Sequence, residues 1–395
     1  MRFTFNAEQE AFRREVVAFL EKEIPALDIE LDKYEMAGGS SREFSRKLAE
    51  KKWIGLTWPK EYGGSERGYV DKMILSEQLI RHRAPTGYHF AAERQIGPAI
   101  IKFGAQWQKD YFLPRFINAE DNITFCLLFS EPDAGSDLAA IKTTAIPEGD
   151  HYVINGQKVW SSGAHSSDYG WLLARTNPDP TVPGHIACSE FILDLKTPGI
   201  TIRPILNIMG EHHFNEVFFD TVRIDKKYLV GRENEGFKQI VAQLDYERAG
   251  IERLMQNHLV YERLKSYLRE GEFADEDPGL VYWIKDAFAR LETELTIGRL
   301  LCYQTAWMID HRKQISSQAA LCKALCSQYE HRLNDVATRL LGASSLMMGE
   351  ENPYAPWEGL VAQSYLHSPS YTLQGGAVEI LKNIVAQRGL KLPRA

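Results

Sequence analysis

Glu247 is the residue of this 395-residue chain whose surroundings most clearly indicate chemistry. From about residue 235 to 268 the apolar side chains recur as on one face of an amphipathic helix. Glu247 shares that face with Ile240, Leu244 and Ile251. Burial penalises a charged carboxylate and raises its pKa towards neutrality, which suits a general base. Taken alone, the helix favours the structural explanation, a buried Glu that an arginine or a backbone donor satisfies.

Two strings in the middle of the chain have residue types that can surround a planar ligand. Residues 129–138 read Phe-Ser-Glu-Pro-Asp-Ala-Gly-Ser-Asp-Leu, which predicts a turn that exposes backbone N–H groups and hydroxyls. Residues 154–164 read Ile-Asn-Gly-Gln-Lys-Val-Trp-Ser-Ser-Gly-Ala, which predicts an Asn-Gly hairpin turn and then a strand carrying Trp160. An aromatic beside small hydroxyls can cover a ring and hydrogen-bond it. Each string taken singly is explained as well by a loop or a core Trp.

Composition and charge exclude several classes of protein. A hydrophobic content of 44% and a charged content of 25% are ordinary for a globular protein. The net charge of -7 argues against a nucleic-acid binder. No apolar run approaches the ~18 residues of a membrane span, and the first ten residues do not resemble a signal peptide. We therefore expect a cytoplasmic protein with no membrane or nucleic-acid partner.

The cysteine pattern indicates neither disulfides nor a metal. The chain has five cysteines, an odd number whose spacing fits no disulfide framework. Cys322 and Cys326 are one helical turn apart, and the sequence places no further ligand cluster beside them. They are interpreted as small apolar fillers, and no metal is expected.

The periodicity of the sequence changes twice along the chain. Residues 1–120 have helical periodicity, residues 121–230 have short β-branched runs punctuated by Gly, Asn, Asp and Pro, and residues 231–395 are helical again. This order lacks the βαβ alternation of a Rossmann fold, and the chain has no GxGxxG or P-loop string. The expected fold class is α+β, with an N-terminal α-helical domain, a middle antiparallel β domain and a C-terminal helical domain.

Five strings in chain order together resemble the acyl-CoA dehydrogenase flavoprotein family. They are residues 58–64 (Trp-Pro-Lys-Glu-Tyr-Gly-Gly), 130–137, 155–160, 216–224 (Glu-Val-Phe-Phe-Asp-Thr-Val-Arg-Ile) and 231–237 (Gly-Arg-Glu-Asn-Glu-Gly-Phe). The resemblance covers nearly the whole chain. It implies an acyl-CoA dehydrogenase-like fold whose C-terminal domain is like a four-helix bundle, and it implies FAD as the cofactor.

The resemblance also implies roles for particular residues. The residues expected to line the flavin are Leu127, Leu128, Phe129, Ser130, Trp160, Ser161 and Ser162. Ser136 would lie near the thioester, and Asp245 and Arg248 would contact the substrate. The implied reaction is α,β-dehydrogenation of an acyl-CoA, in which Glu247 takes the α-proton and the β-hydride passes to flavin N5. Electrons would then go to an electron-transferring flavoprotein, in fatty acid or steroid degradation.

The chain departs from the family pattern at the base. Most relatives carry the base in a Tyr-Glu-Gly-Thr string near the C-terminus, where this chain has Leu373-Gln374-Gly375-Gly376. Gln374 is a neutral amide and cannot abstract a proton. A minority of the family, including isovaleryl- and long-chain-type enzymes, place the base on the earlier helix, where this chain has Glu247. Glu379 is an alternative base, but it falls on a different helical face.

The expected contacts to the FAD of a neighbouring subunit are also altered. Relatives have an Arg-x-x-Phe-Gly string where residues 271–278 here read Gly-Glu-Phe-Ala-Asp-Glu-Asp-Pro. Arg339 stands in place of a Gln of relatives, and it can still pair with phosphate. Arg339 and Gln374 complete the set of expected cofactor-side residues.

These changes predict a tetramer, and favour an α2β2 assembly with a paralogous subunit, as in bacterial enzymes that shorten steroid side chains. Two alternatives stay open: a non-catalytic partner subunit of such an enzyme, and a flavin oxidase or monooxygenase on the same scaffold.

Overall fold

The computed structural model describes residues 4–27, 39–120, 123–179, 181–248, 250–271, 277–349 and 351–393, and of residues 244–248 it describes the backbone alone. The α-helices are α1 (Ala7–Glu23), α2 (Arg42–Glu50), α3 (Tyr69–Arg81), α4 (Gly87–Ala91), α5 (Gly97–Phe103), α6 (Gln106–Ile117), α7 (Gly236–Arg248), α8 (His258–Glu270), α9 (Pro278–Asp310), α10 (Ser316–Leu341), α11 (Leu360–Leu373) and α12 (Val378–Ile384). The strands are β1 (Phe125–Leu128), β2 (Thr144–Glu148), β3 (His151–Lys158), β4 (Tyr169–Arg175), β5 (Cys188–Asp194), β6 (Ile200–Leu206), β7 (His212–Asp225) and β8 (Leu229–Val230).

The strands form one sheet, as the β-branched runs of the middle region predict. The strand order is β6-β7-β3-β2-β4-β5-β8, and β1 pairs with β4 beside this path. The pairings are antiparallel except for β1 with β4 and the short contact of β2 with β4. Several strands contribute side chains to one apolar cluster, in which Leu172 of β4, Phe191 of β5 and Val217 of β7 are fully buried. Burial of these side chains is the main force that stabilises the sheet.

The predicted Asn-Gly hairpin turn is wrong. Asn155 and Gly156 lie inside β3, where the register with β7 shifts as in a β-bulge, and the β2–β3 turn is at Gly149, with φ 58°. Gly156 has φ 143°, and a Cβ there would lie 2.5 Å from Thr143 Oγ1. Glycine is therefore required by the bulge and not by a turn.

The single long helix expected from about 235 to 268 is also wrong. α7 ends at Arg248 and α8 begins at His258, because Gly250 has an extended backbone with ψ 142°. The backbone N–H groups of Gln256 and Asn257 donate to the buried Glu330 carboxyl at 2.6 and 3.1 Å. A long-range partner thus satisfies donors that a continuous helix would have bonded internally.

Contacts divide the chain into two compact units. The sheet unit comprises Ser45–Glu66 and Tyr88–Leu244, and holds α5, α6, the sheet and most of α7. The helical unit comprises Met1–Phe44, Arg67–Gly87 and Asp245–Ala395, and holds α1, α3 and α8 to α12. The predicted boundaries at residues 120 and 230 stay a prediction. Within the described part of the chain, every helix is too short or too polar to span a lipid bilayer.

Candidate active site

The two strings expected to surround a planar ligand are hydrogen-bonded neighbours in the sheet unit. Leu127 and Leu128 end β1, and the chain continues through Phe129 and Ser130. The backbone N–H of Val159 donates to the Ser130 carbonyl at 2.9 Å. The structure therefore brings the segment 127–130 beside the segment that leads to Trp160.

A buried ion pair between Lys158 and Glu131 joins these two strings. Lys158 Nζ lies 2.8 Å from Glu131 Oε1 and 2.9 Å from the Phe129 carbonyl, and the Lys158 side chain is 0% exposed. Burial lowers the pKa of Lys158 to about 8, against the opposing effect of Glu131. Burial acts to raise the pKa of Glu131, but the Lys158 ammonium and hydrogen bonds from Lys142 and Thr143 outweigh it and leave the pKa lowered.

The segment Trp160–Ser162 presents the aromatic ring of Trp160 to solvent and contains one buried and one exposed serine. Trp160 is 58% exposed and has φ 59°, a left-handed backbone conformation that costs a non-glycine residue about 1–3 kcal/mol. Ser161 is buried, and among the described residues its Oγ has no hydrogen-bond partner. Ser162 is exposed. Strain together with an unsatisfied hydroxyl indicates a binding surface.

β7 holds this strained segment in place. Ser161 N donates to the Asn215 carbonyl at 3.1 Å, and Asn215 Nδ2 donates to the Ser161 carbonyl at 3.0 Å. Gly163 N donates to the His213 carbonyl at 3.0 Å. On the other side of Trp160, Lys158 pairs with Val217 of β7. The sheet therefore fixes the backbone on both sides of Trp160.

The turn predicted around Pro132 is confirmed. Glu131 and Ala134 exchange backbone hydrogen bonds at 3.0 and 3.1 Å across Pro132 and Asp133. Ser136, just beyond this turn, is exposed.

Helix α7, which carries the expected base, contacts the sheet through three residues on one of its faces, Gly236, Gln239 and Gln243. Gly236 approaches the backbone of Ser189 so closely that a Cβ would lie 2.7 Å from it. Gln239 Nε2 donates to the Val230 carbonyl at 3.3 Å, and Gln243 Nε2 lies 3.0 Å from both oxygens of Glu190.

The last turn of α7 contains Asp245, Glu247 and Arg248. Their side chains lie outside the described set, so their predicted roles stay predictions. Glu247 follows Gln243 by four residues, which places both positions on one face of the helix.

Arg339 and Gln374 lie in the helical unit. Arg339, near the end of α10, pairs with Asp335 at 3.1 Å and has a largely exposed side chain. Gln374 is the exposed residue that follows α11. The buried Lys323 donates to the carbonyls of Tyr371 and Gly376 at 2.8 and 3.0 Å, which fixes the loop that carries Gln374.

Other features of this unit modify the sequence-based expectations. Residues 272–276 of the acidic stretch lie outside the described residues, whereas Asp277 caps α9 by accepting from Gly279 N and Leu280 N. Glu379 is exposed on α12. This exposed position gives no support for Glu379 as the base.

Sequence reasoning missed three buried clusters because their members are far apart in the chain. They are the Glu131–Lys158 pair, the Glu190 contacts with Trp171 and Gln243, and the cysteines. Cys302 Sγ on α9 lies 3.3 Å from Cys322 Sγ, which is 3.9 Å from Cys326 Sγ. The expectation that Cys322 has no ligand-type neighbour beyond Cys326 is therefore wrong.

Models of the acyl-CoA dehydrogenase N-terminal, middle and C-terminal domains match residues 6–120, 126–222 and 234–390. The chain therefore belongs to the acyl-CoA dehydrogenase family, and it is an oxidoreductase. The predicted α+β architecture, with helical terminal domains around a β domain, is confirmed. Members of this family depend on FAD.

Named relatives match over most of their length. The chain is 35% identical to the acyl-CoA dehydrogenase IpdE1 of Mycobacterium tuberculosis over 356 residues, covering 89% of this chain and 88% of that protein. It is 31% identical to the acyl-CoA dehydrogenase FadE29 of the same organism, covering 90% of each.

Solved structures are similar throughout. The Tcur3481-Tcur3483 steroid ACAD superimposes with a TM-score of 0.87 and 29% identity, covering 100% of both chains. The ChsE4-ChsE5 complex from Mycobacterium tuberculosis does so with a TM-score of 0.83 and 28% identity, also covering 100% of both chains.

The sheet unit fits the flavin that the family uses. An exposed indole held by a strained backbone, a buried hydroxyl without a partner and an exposed hydroxyl after it suit a planar, hydrogen-bonding ring. The carbonyl-rich edge at Phe129 and Ser130 is fixed by the buried ammonium of Lys158.

Proposed function

We propose that this chain dehydrogenates an acyl-CoA thioester between its α and β carbons, with Glu247 as the base. The observation that carries the proposal is the Trp160–Ser162 segment, which is strained, unsatisfied at Ser161 and held by β7. Segments that cost free energy without satisfying their own polar groups are characteristic of binding sites. Bound FAD supplies a two-electron acceptor for the β-hydride.

The residues of the chain have separate tasks in this proposal. Leu127, Leu128, Phe129 and Ser130, with Trp160, Ser161 and Ser162, hold the ring. Glu247 accepts the α-proton, which the neighbouring thioester carbonyl makes removable only when hydrogen bonds stabilise the enolate. Ser136, Asp245 and Arg248 orient the thioester. Apolar packing around the reacting carbons excludes water.

Two observations support Glu247 as the base: its place on helix α7, and the weaker case for the other two candidate positions, Gln374 and Glu379. α7 is helical through Arg248, and position 247 continues the row of positions that packs on the sheet at Gln239 and Gln243. Gln374 has no carboxylate to offer, and Glu379 is exposed. Of the three positions compared, Glu247 is therefore the one that we propose as the base.

We infer that the acyl group is bulky and steroid-derived, and that the chain works with a paralogous subunit. The similarity to a steroid ACAD named for two proteins, and to the ChsE4-ChsE5 complex, supports both inferences. The acidic stretch at residues 271–278 supports the second, because carboxylates repel a pyrophosphate. Arg339 and Gln374 would lie towards the cofactor, and an electron-transferring flavoprotein is the proposed electron acceptor.

The test is anaerobic reduction of the bound flavin, followed as loss of its absorbance after addition of an acyl-CoA. Glu247→Gln should reduce the rate at least about 100-fold, since a positioned base contributes that much. The matched control is Glu379→Gln, which should react like wild type.

Three outcomes would contradict the proposal. Undiminished bleaching in Glu247→Gln removes Glu247 as the base. A wild-type protein, assembled with its paralogue, in which flavin contacts only the paralogue supports the non-catalytic subunit. Rapid reoxidation by oxygen with release of peroxide supports an oxidase.

A further inference from the structure

Glu190 is a buried carboxyl group that the proposed reaction does not use. It lies on β5 and is 0% exposed. Trp171 Nε1, on the neighbouring strand β4, donates to Glu190 Oε1 at 2.7 Å. Gln243 Nε2, on α7, lies 3.0 Å from both Glu190 oxygens. The carboxyl group therefore bridges the sheet and the helix that carries Glu247.

Among the described side chains, the two that contact Glu190, Trp171 and Gln243, are uncharged. Burial raises the pKa of Glu190 to about 8, against the hydrogen bonds from Trp171 and Gln243. At pH 7 the group is consequently a neutral carboxylic acid, which donates one hydrogen bond and accepts others. Gln243 Oε1 has no hydrogen-bond partner within the described residues. Turning the Gln243 amide by half a rotation lets the acid donate to that oxygen, since amide orientation is an assignment.

The contact stands in a regular row along α7. Gly236 touches the backbone of β5, Gln239 donates to the Val230 carbonyl, and Gln243 meets Glu190. Positions 239, 243 and 247 are four residues apart and share one helical face. Gln243 is the last described side chain of this row before position 247.

We propose that Glu190 is a positioning residue that, through Gln243, fixes the rotation and depth of the last turn of α7. This inference rests on the proposed function of Glu247. We expect the acid to serve in its neutral form, because a buried anion near the base would raise the pKa of the base and oppose its ionisation. A hydrogen-bonded neutral acid holds the helix without that effect.

The experiment compares kcat, KM and their pH dependence in the flavin-loaded enzyme for four variants. Glu190→Gln keeps a donor and an acceptor, and should retain kcat within about threefold. Glu190→Leu and Gln243→Leu should lower kcat about 100-fold, as misplacements of about 1 Å do, with KM changed less than about threefold. Lys238→Leu, at an exposed position of the same helix, is the control and should resemble wild type.

The pH profile separates positioning from general damage. In wild type, kcat should fall above about pH 8 as Glu190 ionises. Lys158 and Glu330 also have a pKa near 8, so the decisive comparison is between wild type and Glu190→Gln, which should lose this decline. Infrared spectra give an independent readout: wild type should show the carbonyl band of a neutral acid at pH 7 that Glu190→Gln lacks.

Wild-type kcat in both Leu variants, or no difference in the carbonyl band, would overturn the inference. If Glu190→Leu does not fold, Gln243→Leu and the infrared band decide. A failure of the proposed function is distinguishable, because Glu247→Gln would then bleach normally while the Glu190 band persisted.

Discussion

Lys158 shows how much one buried charge does for the candidate site. Its ammonium is fully enclosed, pairs with Glu131 and also binds the Phe129 carbonyl. The two strings that we propose to face the flavin ring are thereby joined at a single atom, Lys158 Nζ. Removing one member of a buried pair is costly, because the other is left charged and desolvated.

Lys158→Met should therefore reduce the free energy of unfolding by about 3–5 kcal/mol and weaken flavin retention. The measurement is denaturant unfolding followed by tryptophan fluorescence, with flavin content determined by absorbance. Lys142→Met is the control, since the Lys142–Asp133 pair is exposed at both ends and should change stability by less than about 1 kcal/mol. Equal losses in the two variants would contradict the structural role of Lys158.

Polar residues of this kind are poorly predicted from sequence. Glu247 was conspicuous because it interrupts an apolar face, and Trp160 because it follows a recognisable string. Glu190 and Lys158 gave little signal, since their partners come from other strands or helices. A charged residue in a β-branched run has no periodicity of its own, and only the sheet pairing shows that it is buried.

At the scale of elements, strand β3 differs most from expectation. An Asn-Gly pair is the usual sequence of a two-residue hairpin, yet here it forms a bulge. Asn155 Oδ1 accepts from Thr221 N at 2.8 Å, which binds the bulge to β7. The cross-strand pairing of β3 with β7 overrides the local turn preference.

Gly149, in the turn before β3, and Gly156, within β3, allow a matched test. Gly149 has φ 58° and a Cβ there would meet nothing within 4 Å, whereas Gly156 has φ 143° and a Cβ would lie 2.5 Å from Thr143 Oγ1. Gly149→Ala should cost about 1–2 kcal/mol of stability from backbone strain. Gly156→Ala should cost about 3 kcal/mol or more, because steric overlap adds to the strain.

Chemical denaturation of both glycine variants provides the measurement. A smaller loss for Gly156→Ala than for Gly149→Ala would show that β3 can shift without penalty.

The existence and type of most helices were predictable from periodicity, as α1 illustrates with buried Phe12, Val16 and Leu20. The break between α7 and α8 was not, because it depends on Gly250 and on a distant carboxyl group, Glu330.

At the scale of the whole molecule, the order of domains followed from the change in sequence texture, and the three family models agree with it. The oligomeric assembly could not be predicted from the sequence pattern in the same way. Arg339 is exposed and, among the described residues, pairs with Asp335 of its own helix. Its availability to a neighbouring subunit's phosphate is part of the proposal.

The chain should bind flavin poorly when expressed alone and should gain it when co-expressed with a paralogous subunit. Glu272, Asp275 and Glu276 are the physical reason. The family resemblance implies that a homo-oligomer would bring this stretch to its own pyrophosphate sites, where the carboxylates would repel the phosphates. Light scattering coupled to chromatography gives the mass of each species, and absorbance gives its flavin content. We expect one flavin for every two chains in the mixed assembly. A fully loaded homotetramer of the lone chain would contradict the prediction.

The exposed ring of Trp160 has an optical consequence. Of the eight tryptophans of the chain, it is the one with a mostly exposed side chain, whereas Trp58 and Trp171 lie in the core. An indole in water emits at longer wavelength than one in an apolar interior, and an adjacent isoalloxazine quenches it. The red edge of the intrinsic emission therefore reports on the occupancy of this one position, with no label added to the protein.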